Sequence, residues 1–167
     1  MDSLLPKDLV EKAREVIDAN RTAGRRIAVA ESCTGGLVAA ALTEIAGCSD
    51  VFEAGYVTYS NASKMSGLNV CLDVVETFGA VSVATAWAMA QGALEASQAD
   101  VAVAITGIAG PDGGSPGKPV GMVVFARAER DAGPDKVTAD QKLFDPSEGR
   151  SGIRRQATLC ALELLMP

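Results

Sequence analysis

The 167-residue sequence contains no histidine. That excludes Ser-His-Asp and Cys-His catalysis and removes the commonest protein ligand for a metal. Aromatic residues make up only 4%, so alanine, valine, leucine and isoleucine must build the core. The four cysteines, Cys33, Cys48, Cys71 and Cys160, include no C-x-x-C pair. With nothing to mark secretion, they read as reduced thiols of a cytoplasmic protein. Positive charge is in deficit, 15 Lys+Arg against 21 Asp+Glu for a net charge of −6. A polyanion binder carries the opposite excess, so neither nucleic acid nor an acidic membrane is expected as a partner. A local cationic pocket for one phosphate remains compatible with that balance. No G-x-G-x-x-G is present, and Gly117-Lys118 is followed by Pro119 where a phosphate loop needs Ser or Thr. Dinucleotide binding of the Rossmann kind and P-loop chemistry are therefore unsupported. Early charges at Asp2, Lys7, Asp8, Glu11 and Lys12 are wrong for the apolar core of a signal peptide. The one long uncharged run, Thr77 to Leu94, holds Ser82, Thr85, Gln91 and two glycines. It reads as buried helix of a soluble protein and not as a membrane span.

Hydrophobic residues at 48% and charged residues at 22% give ordinary globular composition, enough for one domain over residues 1–167. Leu9, Val10, Ala13, Val16 and Ile17 lie at helical spacing before Gly24, and Arg26–Ala30 reads as a short buried strand. Helical spacing returns over Leu37–Ile45, and Gly55–Tyr59 alternates as a strand. Ser60-Asn61 then suits the start of a helix carrying Lys64. A helix over Val83–Ser97, strands over Asp100–Thr106 and Val120–Arg127, an edge strand over Lys136–Phe144 and a closing helix over Glu148–Leu165 complete the order. The expected fold class is α/β, a three-layer α/β/α sandwich around a mixed central sheet.

Three polar segments interrupt the apolar scaffold. Glu31-Ser32-Cys33-Thr34-Gly35-Gly36 falls at a strand-to-helix turn, where unpaired N–H groups suit an anion or a developing oxyanion. The plain alternative is a helix cap with glycines closing the turn. Tyr56–Lys64 brings Tyr59 and Lys64 together; without histidine, a Ser–Lys pair is the simplest way to activate a hydroxyl. Against that stands an ordinary solvated lysine on a helix face. Thr106–Gly114 concentrates Gly107, Gly110, Gly113 and Gly114, as a loop needing close backbone approach would. Arg150, Arg154 and Arg155 cluster at the start of the last helix, where a guanidinium fork suits phosphate or carboxylate. A Cys33–Lys64–Glu31 set would make Cys33 a rival nucleophile, though a small buried cysteine is the commoner case.

Taken together, AESCTGG (Ala30–Gly36), YVTYSNASK (Tyr56–Lys64), GIAGPDGG (Gly107–Gly114) with KPVG (Lys118–Gly121), and RRQA (Arg154–Ala157) closely resemble the CinA C-terminal-domain family. The resemblance runs from about Leu9 to Leu165. It implies a nicotinamide-nucleotide amidase, releasing ammonia and nicotinate mononucleotide from nicotinamide mononucleotide. It also implies a pyridine nucleotide as the partner small molecule, no cofactor and no metal, and a homo-oligomer. Some relatives carry a further N-terminal domain whose activity is not carried over here. The implied catalytic residues are Ser32, Tyr59 and Lys64. The implied substrate-binding residues are Thr34, Gly35, Gly36, Ser49, Thr106, Gly107, Gly110 and Arg150. Ser32, Ser49 and Cys33 stay open as the attacking group, with Ser32 preferred. A non-catalytic nucleotide-binding or interaction module of the same family is the alternative reading.

Overall fold

Small and large residues alternate in the two central strands, Ile27–Glu31 (β1) and Val101–Gly107 (β3). Ala28, Ala30, Ala102 and Ala104 face one side of the sheet, and Val29, Val103 and Ile105 face the other. Both strands are buried on both faces, as strands covered by helices must be. The computed structural model, which describes residues 3–167, builds a five-stranded sheet in the order β2-β1-β3-β4-β5. Phe52–Val57 (β2), β1 and β3 run parallel; Met122–Glu129 (β4) pairs antiparallel with β3, and Thr138–Leu143 (β5) pairs antiparallel with β4.

Lys7–Ala23 (α1), Leu37–Thr43 (α2) and Gly149–Leu164 (α6) cover the valine side. Val83–Glu95 (α5) covers the alanine side, with Asn61–Leu68 (α3) and Leu72–Phe78 (α4) packed outside it. Ala86, Ala90 and Ala93 of α5 lie buried on that alanine face. Two small surfaces meeting closely explain how the chain packs a core with so few aromatics. The expected mixed sheet between helical layers is therefore what the chain forms. Three elements differ from expectation, one of them α4, for which no helix was expected. β2 begins at Phe52 and ends at Val57, leaving Thr58 and Tyr59 beyond the strand. The uncharged run is broken at Gly79–Ser82, and α5 starts where the Ser82 hydroxyl accepts the Thr85 N–H. Among the described residues no helix is long and apolar enough to cross a membrane.

Gly92 sets the spacing of α3 against α5. A Cβ there would overlap the Leu68 carbonyl oxygen and lie 2.8 Å from its carbon, and backbone cannot swing aside as a side chain can. Gly92→Ala is expected to destabilise by about 1–3 kcal/mol, read as a fall of several degrees in the melting temperature. Gly67→Ala, whose Cβ would meet only the Thr58 methyl at 3.5 Å, is the control and should melt at or above the parent temperature.

Candidate active site

The three parallel strands reach their C-terminal edge side by side, and the residue that follows the last in-register pair on each carries a hydroxyl: Ser32 after β1, Thr58 after β2 and Thr106 within β3. Glu31 pairs with Val57 on one side and Ile105 on the other. The ladder continues as Thr58 N–H donates to Glu31 O (2.8 Å) and Ser32 N–H donates to Ile105 O (2.9 Å). Thr58, Ser32 and Thr106 thus form a row across the C-terminal edge, where parallel sheets place their sites. Strand alternation turns Glu31 toward α2 and Ser32 toward α3 and α5.

Lys64 reaches this row from α3. The Ser60 hydroxyl accepts the Ser63 N–H and the Ser63 hydroxyl accepts the Ser60 N–H, a reciprocal cap that fixes the first turn. Lys64 is 1% exposed. Its Nζ lies 3.0 Å from Ser32 Oγ, 2.7 Å from Thr58 O and 3.4 Å from Tyr59 O. Burial holds its pKa below the ordinary lysine value. A neutral amine has two N–H donors and one lone pair. In this arrangement Lys64 Nζ donates to Ser32 Oγ; in its neutral form the two donors stay with the carbonyls and the lone pair is left for the Ser32 hydroxyl.

The Ser32–Gly36 turn is tied down on several sides. Arg154 donates from Nε to Cys33 O (3.1 Å) and from Nη2 to Thr34 O (3.0 Å). Gly35 N–H donates to Ser32 O, and Gly36 N–H donates to the Glu31 carboxylate, both at 3.0 Å. The expectation that Gly35 and Gly36 present N–H groups to a ligand is therefore corrected, because both are already spent. Among the described residues, the Cys33 and Thr34 N–H groups have no oxygen acceptor and face the Cys33 sulfur. The Thr34 and Thr58 hydroxyls are buried and likewise unpartnered.

Burial, with the nearby Glu31 charge adding to it, pushes the Cys33 thiol up to about 11, so it is not a thiolate at neutral pH. Glu31 is committed to α2, so the Cys33–Lys64–Glu31 set is not assembled. Tyr59 stands at the mouth, 59% exposed, and its phenol accepts from Arg150 Nη2 (2.9 Å) while Arg150 Nη1 donates to Gly110 O (2.8 Å). Its side chain makes no hydrogen bond to Ser32 or Lys64, so of the three catalytic residues the resemblance implies only Ser32 and Lys64 are in contact. Cys33, Tyr59, Ile108, Gly110, Asp112 and Arg150 line a cavity of about 220 Å³ here, and Gly107 closes its side. Thr106 is buried beside Ser32, its hydroxyl donating to Ala80 O (2.8 Å). Ser49 is exposed and far away. It precedes β2, two residues before Val51, whose carbonyl accepts the Ile27 N–H at the start of β1. Five residues of strand, roughly 15 Å, separate that end from Ser32, so the chain does not bring Ser49 to the cluster. Arg155 pairs with Asp8 on α1 and serves packing. Among the described residues, no three His, Cys, Asp or Glu side chains converge as metal ligands.

Sequence reasoning passed over Thr58, whose carbonyl holds Lys64, and the pinning role of Arg154. Glu31 it saw only as a partner for Cys33.

A family model for the CinA C-terminal domain matches residues 10–167. The chain is 46% identical over 158 residues to nicotinamide-nucleotide amidohydrolase PncC of Escherichia coli K12, covering 95% of this chain and 93% of that protein. It is 52% identical over 147 residues to a CinA-like protein of Mycolicibacterium vanbaalenii, of which it spans 34%. The solved structure of competence/damage inducible protein CihA from Agrobacterium tumefaciens superposes with a TM-score of 0.92 at 48% identity. That match covers 98% of this chain and 97% of the other.

Proposed function

Since the chain belongs to the CinA C-terminal domain family, we propose that it is a hydrolase that removes the amide nitrogen of nicotinamide mononucleotide by seryl catalysis. The observation that carries the reading is the 3.0 Å contact between Lys64 Nζ and Ser32 Oγ, with Thr58 O and Tyr59 O taking the remaining donors. The relative of nearly equal length is named for the same activity.

Ser32 Oγ attacks the carboxamide carbon while its proton passes to the neutral Lys64. The oxyanion that forms is met by the Cys33 and Thr34 N–H groups, which face the Cys33 sulfur and have no oxygen acceptor among the described residues. As the C–N bond breaks, Lys64 returns the proton to the nitrogen, which leaves as ammonia. Lys64 then takes a proton from water, whose oxygen attacks the acyl carbon. Ser32 leaves with that proton, and the product is nicotinate mononucleotide. Lys64 takes the acid role because it contacts Ser32 at 3.0 Å, while the Tyr59 side chain makes no hydrogen bond to either. Arg150, Gly110 and the loop beyond it face the ribose-phosphate, with Tyr59 as the wall of the mouth.

The direct test is release of ammonia and nicotinate mononucleotide from nicotinamide mononucleotide by the purified protein with EDTA present. Equimolar products are expected. A folded protein that binds the nucleotide without turning it over would replace the hydrolase with a binding module. Cys33→Ala keeps the backbone N–H and removes only a protonated thiol, so turnover should stay within about threefold of the parent. A loss near 10²-fold or more, the scale of a missing catalytic group, would make Cys33 the nucleophile.

A further inference from the structure

Glu31 is a fully buried carboxylate, and no lysine or arginine pairs with it among the described residues. Its compensation comes from backbone. One oxygen accepts the Gly36 and Val38 N–H groups at 3.0 and 3.2 Å, and the other accepts the Ala39 N–H at 2.9 Å. The helix-capping residue of α2 is Gly36, which has no side chain to do this itself. A Ser or Asp at that position would reach the Val38 and Ala39 donors without burying a charge but not its own N–H, and the φ of 98° there favours glycine. The buried arrangement does something a local cap does not. The backbone leaves Glu31, and five residues later it is bound back to the side chain of Glu31, so Ser32–Gly35 becomes a closed ring.

We propose that Glu31 is a positioning residue for the acyl-transfer step: by closing that ring it fixes the Ser32 hydroxyl relative to the Cys33 and Thr34 N–H groups, so that the first attacks the carboxamide carbon while the others receive its oxygen. The proposal rests on the hydrolase reading above. It has a second consequence for the substrate. Helix N-termini ordinarily attract phosphate, but the N–H groups of α2 are occupied here by an anion. The phosphate end of the nucleotide is turned away from α2 and left to Arg150. The reacting carboxamide then enters the ring alone.

Glu31→Gln keeps the size and one acceptor oxygen but sets an amide NH2 against backbone N–H donors. Wild type, Glu31→Gln and Glu31→Asp would be compared for kcat, KM and melting temperature. Loss of oxyanion geometry is worth about 10²–10³ in turnover. The Gln variant should therefore lose kcat on that scale, with KM within about threefold and the protein folded at assay temperature. The Asp variant, charged but one methylene short, should recover part of the loss. Glu31→Gln turning over within threefold of wild type would overturn the proposal. So would losses that merely follow the folded fraction in both variants. If wild type itself does not turn over, the hydrolase reading fails separately, and amide exchange decides the ring. The Gly36, Val38 and Ala39 amides should then be protected in wild type and fast in Glu31→Gln, and equal protection would sink it.

Discussion

Ser32→Ala is expected to lower amide hydrolysis by at least about 10³-fold, with ammonia release from nicotinamide mononucleotide as the readout. The substitution removes the only atom that Lys64 is set to deprotonate. It touches little else: the Ser32 N–H still donates to Ile105 O, and the Gly35 N–H still donates to Ser32 O. Lys64 keeps its two carbonyl acceptors, Thr58 O and Tyr59 O. The melting temperature should therefore stay close to the parent value, and the loss belongs to chemistry and not to folding. The small remainder comes from the Cys33 and Thr34 N–H groups and from a water beside Lys64, as oxyanion stabilisation alone still accelerates hydrolysis. Ser49→Ala, at the other end of the strands, should change turnover by less than twofold. Full activity in Ser32→Ala would transfer the nucleophile elsewhere and remove the Ser–Lys pair from the mechanism.

The contrast between Ser32 and Ser49 shows what a sequence carries and what it leaves to pairing. Both serines sit in turns with a neighbouring cysteine and a nearby glycine, and nothing local separates them. What separates them is strand direction. A residue after β1 lies at the C-terminal edge, and one before the parallel strand β2 lies at the opposite edge. Helix periods and the apolar runs of β1 and β3 were legible because burial writes itself into spacing. The hydroxyl row was not, because Thr58, Ser32 and Thr106 come together only through the register of three strands. Tyr59 misled for a related reason. Five residues separate it from Lys64, but the helix begins between them, so the phenol points out to Arg150 while the lysine turns in. Glu31 reads in sequence as the start of the polar turn and a partner for Cys33, and its burial is visible only once α2 folds back over it.

Lys64→Met, close in length and free of the amine, is expected to cost about 10³-fold or more in turnover, and its pH behaviour tests the role more sharply than the loss does. A base works only when neutral, so wild-type kcat/KM should rise with pH through the Lys64 pKa. Burial holds that pKa below the ordinary 10.5. The residual activity of Lys64→Met should lack this limb. Stability follows from the same shift. Below the folded-state pKa, both folded and unfolded chains carry the proton, and the penalty for a charged buried amine is present in full. Between that pKa and 10.5 the unfolded chain binds more protons than the folded one, so wild-type stability rises with pH across this window. Above 10.5 the penalty is gone. Urea unfolding of wild type and Lys64→Met from pH 7 to pH 11 should therefore show their difference moving in favour of wild type as pH increases. A pH-independent difference would mean that folding leaves the Lys64 pKa unlowered, so that the amine carries its proton at neutral pH. The 3.0 Å contact would then be an ammonium donating to Ser32 Oγ, and a group in that state cannot accept the serine proton.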